Sequence, residues 1–553
     1  MKVNLGRGRT VDVTWTLSDR FATWLNPAAG MERLRSRVSM DVATGGYTGG
    51  KRDRRQTRNW RPRQTSANEE LAADLPDLRS RSRDLSRNVP IATGAINTVV
   101  TSVIGDGLVL QSLVDRDALG MTEDQADAWQ RAAEREFAIW ARRPDFTSRL
   151  NFDEMQELAL RAVLESGDLF VVRRRRKDPA DTYGLKLQFI EGDRVSNPFD
   201  RQNTPTLVDG VEMDTDGVPV AYHIASRYPD DTGLGVKREW RRYGVGSSVT
   251  GSPLILHLYR QLRPDQARGV PYLAPVIEAV KQLGDYSEAE IRAAVISAAF
   301  TVFVKPQVLE DDGDASFIGE NDAASGVDPA TEVKLGTGAI VDLAPGEDVT
   351  FADPKRPNTA FDAFVTAMSR HIGVALELPY ELLLKSFTAS YSASRAALEM
   401  AWQMFRTRRS WMAWKFCQPV YEWVITEAVA SGRLPAPGFF EDPIVREAWL
   451  GSDWIGPSRI QLDPQKEASA DLIDLGMGTK TRAQIIMERT GGSFEAKHAQ
   501  LVKEQRVRDE AGLGTPASAS EALQPADSRQ PAQSEDETSQ ADDSEDTQED
   551  QQT

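Results

Sequence analysis

At 553 residues the chain exceeds what one hydrophobic core serves, so two to four structural units are expected. Hydrophobic residues make up 40%, enough for folded cores, while a mean hydropathy of −0.44 and the lack of a long uncharged apolar run argue against a membrane span. The formal net charge of −17 divides into +9 over residues 1–63, −16 over 64–510 and −10 over 511–553, so an acidic body lies between a basic arm and an acidic tail.

The first residues, Met1–Arg7, lack the apolar stretch of a secretory signal, so no export is expected. Residues 1–67 read as a basic flexible arm, with Gly45, Gly46, Gly49 and Gly50 ahead of the basic run Lys51–Arg55. From Asn68 the pattern turns helical. Asp77–Leu85 leads through Pro90 into a helix over Ile91–Ile104, which Gly105 and Gly107 end.

Asp124–Arg143 and Asn151–Ser166 read as amphipathic helices, the second opened by Asn151 with Glu154 three residues on, the spacing of a capping box. Gly167 then stops the helix. Strands are expected at Leu169–Arg175, Leu185–Ile190, Gly210–Ile224 and Leu254–Tyr259, with Asp214–Gly217 supplying a hairpin turn. The basic run Arg173–Lys177 sits on a strand, where alternate side chains point to opposite faces. It cannot present one continuous phosphate-binding surface, so ion pairs between subunits or a solvated edge are preferred over a DNA contact.

Val270–Phe300 reads as a helix with Val276, Val280, Leu283, Ile291, Val295 and Ala298 near one face. Short β segments and turns follow over 301–357, including Ala339–Leu343. A second helix covers Asn358–Glu377, opened by Thr359 and carrying Phe361, Phe364, Val365, Met368 and Ile372. After the short loop Leu378–Ser390, Ala393–Gln418 contains neither proline nor glycine and would span about 39 Å as a straight helix. Pro419 is expected to kink or end it. Its aromatic load, Trp402, Phe405, Trp411, Trp414 and Phe416, reads as a buried structural helix rather than a base-stacking platform. Asp463–Glu504 forms short helices, and 506–553 reads as an acidic disordered tail.

Catalytic chemistry finds little support. Cys417 is the sole cysteine and excludes a disulfide framework. His223, His257, His371 and His498 lack metal-ligand spacing, so neither metal nor cofactor is expected, with a metal site built only from carboxylates left open. Gly336 and Gly338 lack the lysine of a phosphate loop, and no nucleophile elbow or zinc-protease pair occurs. The acid pairs Glu165/Asp168 and Asp214/Asp216 read as solvated turn residues rather than catalysts.

Several of these segments together resemble the lambda-type family of tailed-phage portal proteins. The matching stretches are Leu78–Asn88, Gly94–Thr98 through Gly105–Gly107, Glu165–Asp168, Arg268–Pro271, Tyr391–Ala397 and Asp463–Ala468, covering roughly 68–500 in order. The resemblance implies an α+β, predominantly helical portal fold with wing, stem, clip and crown regions, assembling as a ring that is usually dodecameric. It assigns residues 68–269 to a mixed α/β wing, 270–300 and 358–377 to two stem helices and 301–357 to a β-rich clip. Residues 378–390 become a channel-facing tunnel loop, 391–433 a long wing helix and 434–505 the crown side.

The implied partners are double-stranded DNA passing through the channel, the terminase large subunit, a major capsid or scaffold protein, and head-completion or tail connector proteins, with no membrane. The implied place is the portal vertex of a virion assembled in host cytoplasm. Within the loop, Lys385, Ser386 and Thr388 are expected to touch DNA weakly, because an acidic channel lets DNA slide rather than gripping it. A packaging enzyme lacks its motifs in this chain. A virion structural protein without a channel remains the alternative reading.

Overall fold

The computed structural model describes residues 55–298 and 361–513 apart from breaks at 177, 232–236, 248–250, 388–389, 460–462 and 493. It also describes the strand pairs Lys2–Asn4 with Thr10–Asp12 and Val302–Pro306 with Glu347–Phe351, and isolated positions between Trp24 and Ser36. The expected strand Ala339–Leu343 and the helix start at Thr359 lie outside the described residues.

Helix α1, Ala67–Asn88, runs through Pro76, and α2, Pro90–Val103, begins on a proline whose missing N–H costs nothing in a first turn. α2 buries Ala92, Ala95, Ile96, Val99, Val100 and Val103. Reciprocal caps open the next two helices: Thr122 with Gln125 for α3, Glu123–Ala141, and Asn151 with Glu154 for α4, Phe152–Ser166. Gly167, at φ 89°, closes α4 and turns the chain directly into a strand.

That strand, β1 (Asp168–Arg175), is the centre of a three-stranded antiparallel sheet, between β2 (Leu185–Glu191) and β3 (Ile255–Tyr259). Its period of two deals side chains to two separate cores. Leu169 and Val171 join the main core with α2 and α4, while Phe170 and Val172 join a smaller core with Val208, Val211, Tyr222 and Ile224. The smaller core is closed by a four-stranded sheet from Leu207–Val208, Val211–Met213, Pro219–Ala225 and Trp240–Gly244. A strand covered on both faces reads as a nearly continuous apolar run, as Leu169–Val172 does. Each such side chain contributes about 1.5–3 kcal/mol by leaving water.

The arginine run is used within the chain. Arg173 lies 5.5 Å over the Trp423 ring and Arg175 pairs with Glu427, whereas Arg174 lies 4.9 Å over Phe146. Arg176 donates to the Phe146 carbonyl at 2.7 Å. Alternation therefore holds, and the partners described are intramolecular, with the Arg175 side chain still 78% exposed to solvent; Lys177 lies outside the described residues.

Beyond the sheet come α5 (Ile277–Ala298), α6 (Phe361–Ala375), α7 (Tyr380–Leu383), α8 (Tyr391–Met412) and α9 (Gln418–Ala430). Pro419 neither ends nor breaks the long helix. A π-helical turn at Ala413–Cys417 precedes it, with the Gln418 N–H reaching back to the Ala413 carbonyl, so the widened turn absorbs the proline and α9 follows directly from α8. Phe405, Phe416, Tyr421 and Trp423 on this helix are buried, and so is Cys417; Trp414 instead is 74% exposed.

Three helices end the described chain: α10 (Pro464–Met477), α11 (Arg482–Thr490) and α12 (Phe494–Glu510). Ser452–Ile455 reaches back to pair with Val109–Ser112, a two-stranded ladder that local pattern did not reveal. The chain divides into two units, residues 1–73 with 263–266, and the remainder. In the first, Arg263 pairs with Glu70 and donates to the Thr65 carbonyl at 2.9 Å. Everything described below belongs to the second.

Candidate functional site

α5 and α6 pack through aromatic rings. Tyr286 stacks on Phe361 at 5.7 Å and meets Phe364 edge-on at 4.9 Å. The apolar stripe of α5 is only half covered: Ile277, Val280 and Leu283 are buried, as is Val276 just before it, but Ile291 and Val295 are each 64% exposed.

The segment after α6 is held tightly at its start. Glu377 adopts φ 55°, and the Leu378 N–H donates to the Gly373 carbonyl at 2.9 Å. A Cβ at Gly373 would stand 2.5 Å from the Leu378 oxygen, so glycine is required there. Leu376, Leu378 and Leu383 are buried, and Tyr380–Leu383 forms a helical turn capped by Pro379. The expected loop Leu378–Ser390 is thus irregular only in part. Leu384–Phe387 is its exposed portion, where Lys385 adopts φ 53° and the Ser386 N–H donates to the Glu381 carbonyl at 3.0 Å. Lys385 and Ser386 stand exposed side by side; Thr388 lies outside the described residues.

Behind the loop, the Tyr272 hydroxyl donates to the Leu376 carbonyl. The Arg408 guanidinium lies 4.6 Å over the Tyr272 ring, donates to Met404 Sδ at 2.9 Å and approaches Glu377 at 3.9 Å. Burial lowers the Arg408 pKa and raises that of Tyr272. These contacts tie the segment leading into α5, the residues just after α6, and α8 together at the root of the loop. Beside them, a groove of about 790 Å³ is lined by Val374, Leu378, Tyr380, Ala397, Met400 and Met404.

The firmest electrostatic centre was not foreseen. Asp168, expected on a solvated turn, is fully buried, because Gly167 passes the chain straight into the sheet. Its carboxylate accepts from Arg79 at 2.8 Å, Arg268 Nε at 2.6 Å and the Gly269 N–H at 3.3 Å. Arg268 uses its remaining donors on the Val195, Gly192 and Asp209 carbonyls and on the second Asp168 oxygen, so its fork is saturated. His257, stacked between Phe170 and Tyr259, brings Nε2 to 3.4 Å from Asp168.

Desolvation opposes the Asp168 charge, yet Arg268 and Arg79 hold its pKa well below the ordinary value. Desolvation lowers His257, which keeps it neutral. Three of the separately recognised segments, Leu78–Asn88, Glu165–Asp168 and Arg268–Pro271, therefore meet at one carboxylate.

Among the described residues no cluster of His, Cys, Asp or Glu is arranged to hold a metal ion, and no helix is long and apolar enough to cross a membrane. Residues 53–409 match the family described as phage portal protein, lambda family. The portal protein of Escherichia phage N15 is 24% identical over 518 residues, covering 90% of this chain and 95% of that one. Portal protein B of Escherichia phage lambda is 23% identical over 515 residues, covering 90% and 94%.

Solved structures with a similar backbone include the neck of a native gene transfer agent particle, 14% identical with a TM-score of 0.39, covering 74% of this chain and 93% of that one. The virion of a native gene transfer agent particle is 14% identical with a TM-score of 0.40, covering 75% and 93%. With the family match spanning well over half its length and two relatives aligning over 90% of it, the chain belongs to the lambda family of phage portal proteins. That family is a structural class rather than an enzymatic one.

Proposed function

We propose that this chain is the subunit of a portal ring, usually dodecameric, set at one vertex of a virion, through which double-stranded DNA is packaged, retained and ejected. In this reading residues 68–269 form the wing, 270–300 and 358–377 the stem helices, 301–357 the clip, 378–390 the tunnel loop, 391–433 the long wing helix and 434–505 the crown side. The clip docks the terminase large subunit and later head-completion or tail connector proteins, and the ring meets the major capsid or scaffold protein. Assembly takes place in the host cytoplasm.

The observation that carries this reading is the family membership over 53–409. The half-covered stripe of α5 supports it, since Ile291 and Val295 need an apolar neighbour that a second copy supplies. The loop supports it too. Its root is fixed by Tyr272, Gly373 and Arg408, while Lys385 and Ser386 are presented to solvent, an arrangement suited to light contact with a moving phosphate backbone; Thr388 completes the proposed contact set. Electron microscopy of the purified protein tests the ring, and loop deletion tests the DNA contact.

A further inference from the structure

We propose that the acidic C-terminal segment 521–550 docks on a basic stripe of α8, formed by Arg395, Trp402 and Arg406, in the cleft that α8 makes with α10 and α11. The inference concerns the chain's own tail and does not depend on the ring.

The stripe is an anomaly of charge. Residues 385–415 hold six Lys or Arg and one Glu, inside a body, 64–510, whose net charge is −16. Two of the six are consumed within the fold. Arg408 is buried on Tyr272 and Met404, and Arg409 donates to the carbonyls of Ser102 and Val103, at the end of α2, and of Pro457.

Arg395 and Arg406 are exposed and have no hydrogen-bond or ion-pair partner among the described residues. Eleven residues at 100° per residue bring them back to within about 20° of one face, roughly 16 Å apart along the axis, with Trp402 between. Their charge is felt nearby. Arg409 is pushed down to about 10, chiefly by burial and further by Arg406.

The cleft around them, about 410 Å³, is lined mainly by charged and polar residues together with Trp402, Trp454, Ile455 and Met487. Its other cations are already paired, Lys480 with Asp471, Asp474 and Glu488, Arg489 with Asp471, and Arg459 with Glu399. Asp453 and Glu467 also line it, so an incoming anion is received at Arg395 and Arg406 rather than across the whole lining. A space of this size admits a peptide strand and its carboxylates, not a nucleic-acid duplex.

The tail has the matching chemistry and the reach. Residues 511–553 hold eleven acids and a single base, Arg529. α12 has 17 residues, about 25 Å of helix, whereas the 22 residues from Leu513 to Glu535 extend up to roughly 75 Å. The acids can therefore return along α12 to α11 and the cleft. Exposed carboxylate–guanidinium pairs are individually weak, and tethering compensates by holding the tail at millimolar effective concentration. A docked tail shields the stripe from other anions, phosphates included.

Arg529 makes the test direct, because trypsin cuts the tail only there. In the full-length protein at low salt, cleavage after Arg529 is expected to be at least fivefold slower than in Arg395→Glu/Arg406→Glu, and the difference should vanish at high salt. Equal low-salt rates overturn the proposal. In full-length Arg395→Lys/Arg406→Lys, which keeps the charge, a carbodiimide should link these lysines to acids between Glu535 and Asp550; links confined to Asp453 and Glu467 overturn it. If the charge reversal weakens binding of a duplex oligonucleotide while the Arg529 rate stays unchanged, the stripe belongs to DNA and the tail proposal falls.

Discussion

Asp168 and Arg268, 100 residues apart, form a pair sealed from solvent, with Oδ2 2.6 Å from Nε and side-chain exposures of 0% and 2%. A Cβ at Gly192 would stand 2.0 Å from Asp168 Oδ1, so the strand junction is built around this carboxylate. Arg79 reaches it from α1, and Arg83 on the next turn pairs with Glu191 and Asp193 at the end of β2. The cluster fixes α1 and the segment leading into α5 to the sheet that separates the two cores.

Breaking that cluster leaves a buried charge without its partner. Arg268→Ala and Asp168→Ala should each cost about 3–5 kcal/mol, read from urea denaturation. Arg268→Lys should recover little, because one ammonium cannot replace a planar fork of five donors.

The same cluster sets a pH dependence with two steps. His257 is lowered by burial from 6.5, so below that value the unfolded chain takes a proton that the folded chain refuses; stability is full above it and declines as pH falls. Asp168 is lowered from 3.8, so its contribution persists above 3.8 and is lost as pH falls further, through its folded value. The groups facing His257 are Asp168, Arg79 and Arg268, with the Phe170, Tyr222 and Tyr259 rings around it. Denaturation of His257→Gln between pH 7 and 5 should show a flatter profile than wild type, and an identical slope would contradict this assignment.

Gly373→Ala tests the root of the loop. The new methyl would press on the Leu378 carbonyl, which is backbone and cannot swing aside, so a loss of about 1–3 kcal/mol is expected. Thermal melting gives the magnitude, and faster proteolysis near Leu384–Phe387 would locate the disturbance.

Local signals were legible and distant ones were not. Asn151 with Glu154 gave the start of α4, Gly167 its end, and Asp214–Gly217 the hairpin turn, each a matter of a few residues. The meeting of Arg79, Asp168 and Arg268 could not be read, because nothing local in any one segment names its partners. The pairing of Val109–Ser112 with Ser452–Ile455 failed for the same reason. Pro419 misled because a proline signals a break only when the preceding turn stays α-helical, and here a π turn intervenes. In the candidate loop, Lys385 and Ser386 are proposed from the resemblance alone, whereas the anchoring by Tyr272 and Arg408 lies 113 residues before and 23 after Lys385 and needed the fold.

Deleting Lys385–Thr388 should leave assembly intact, since Leu378 and Leu383 keep the root in the core, but impair DNA packaging or retention. Packaging assays with the variant check this, and normal infectivity would remove these residues from the DNA path.

Whether copies of this chain close around a channel is decided by electron microscopy of the purified full-length protein. Closed rings with an axial opening, usually of twelve subunits, are expected, with Leu384–Phe387 facing that opening. Monomers or compact dimers under every condition tried would contradict it.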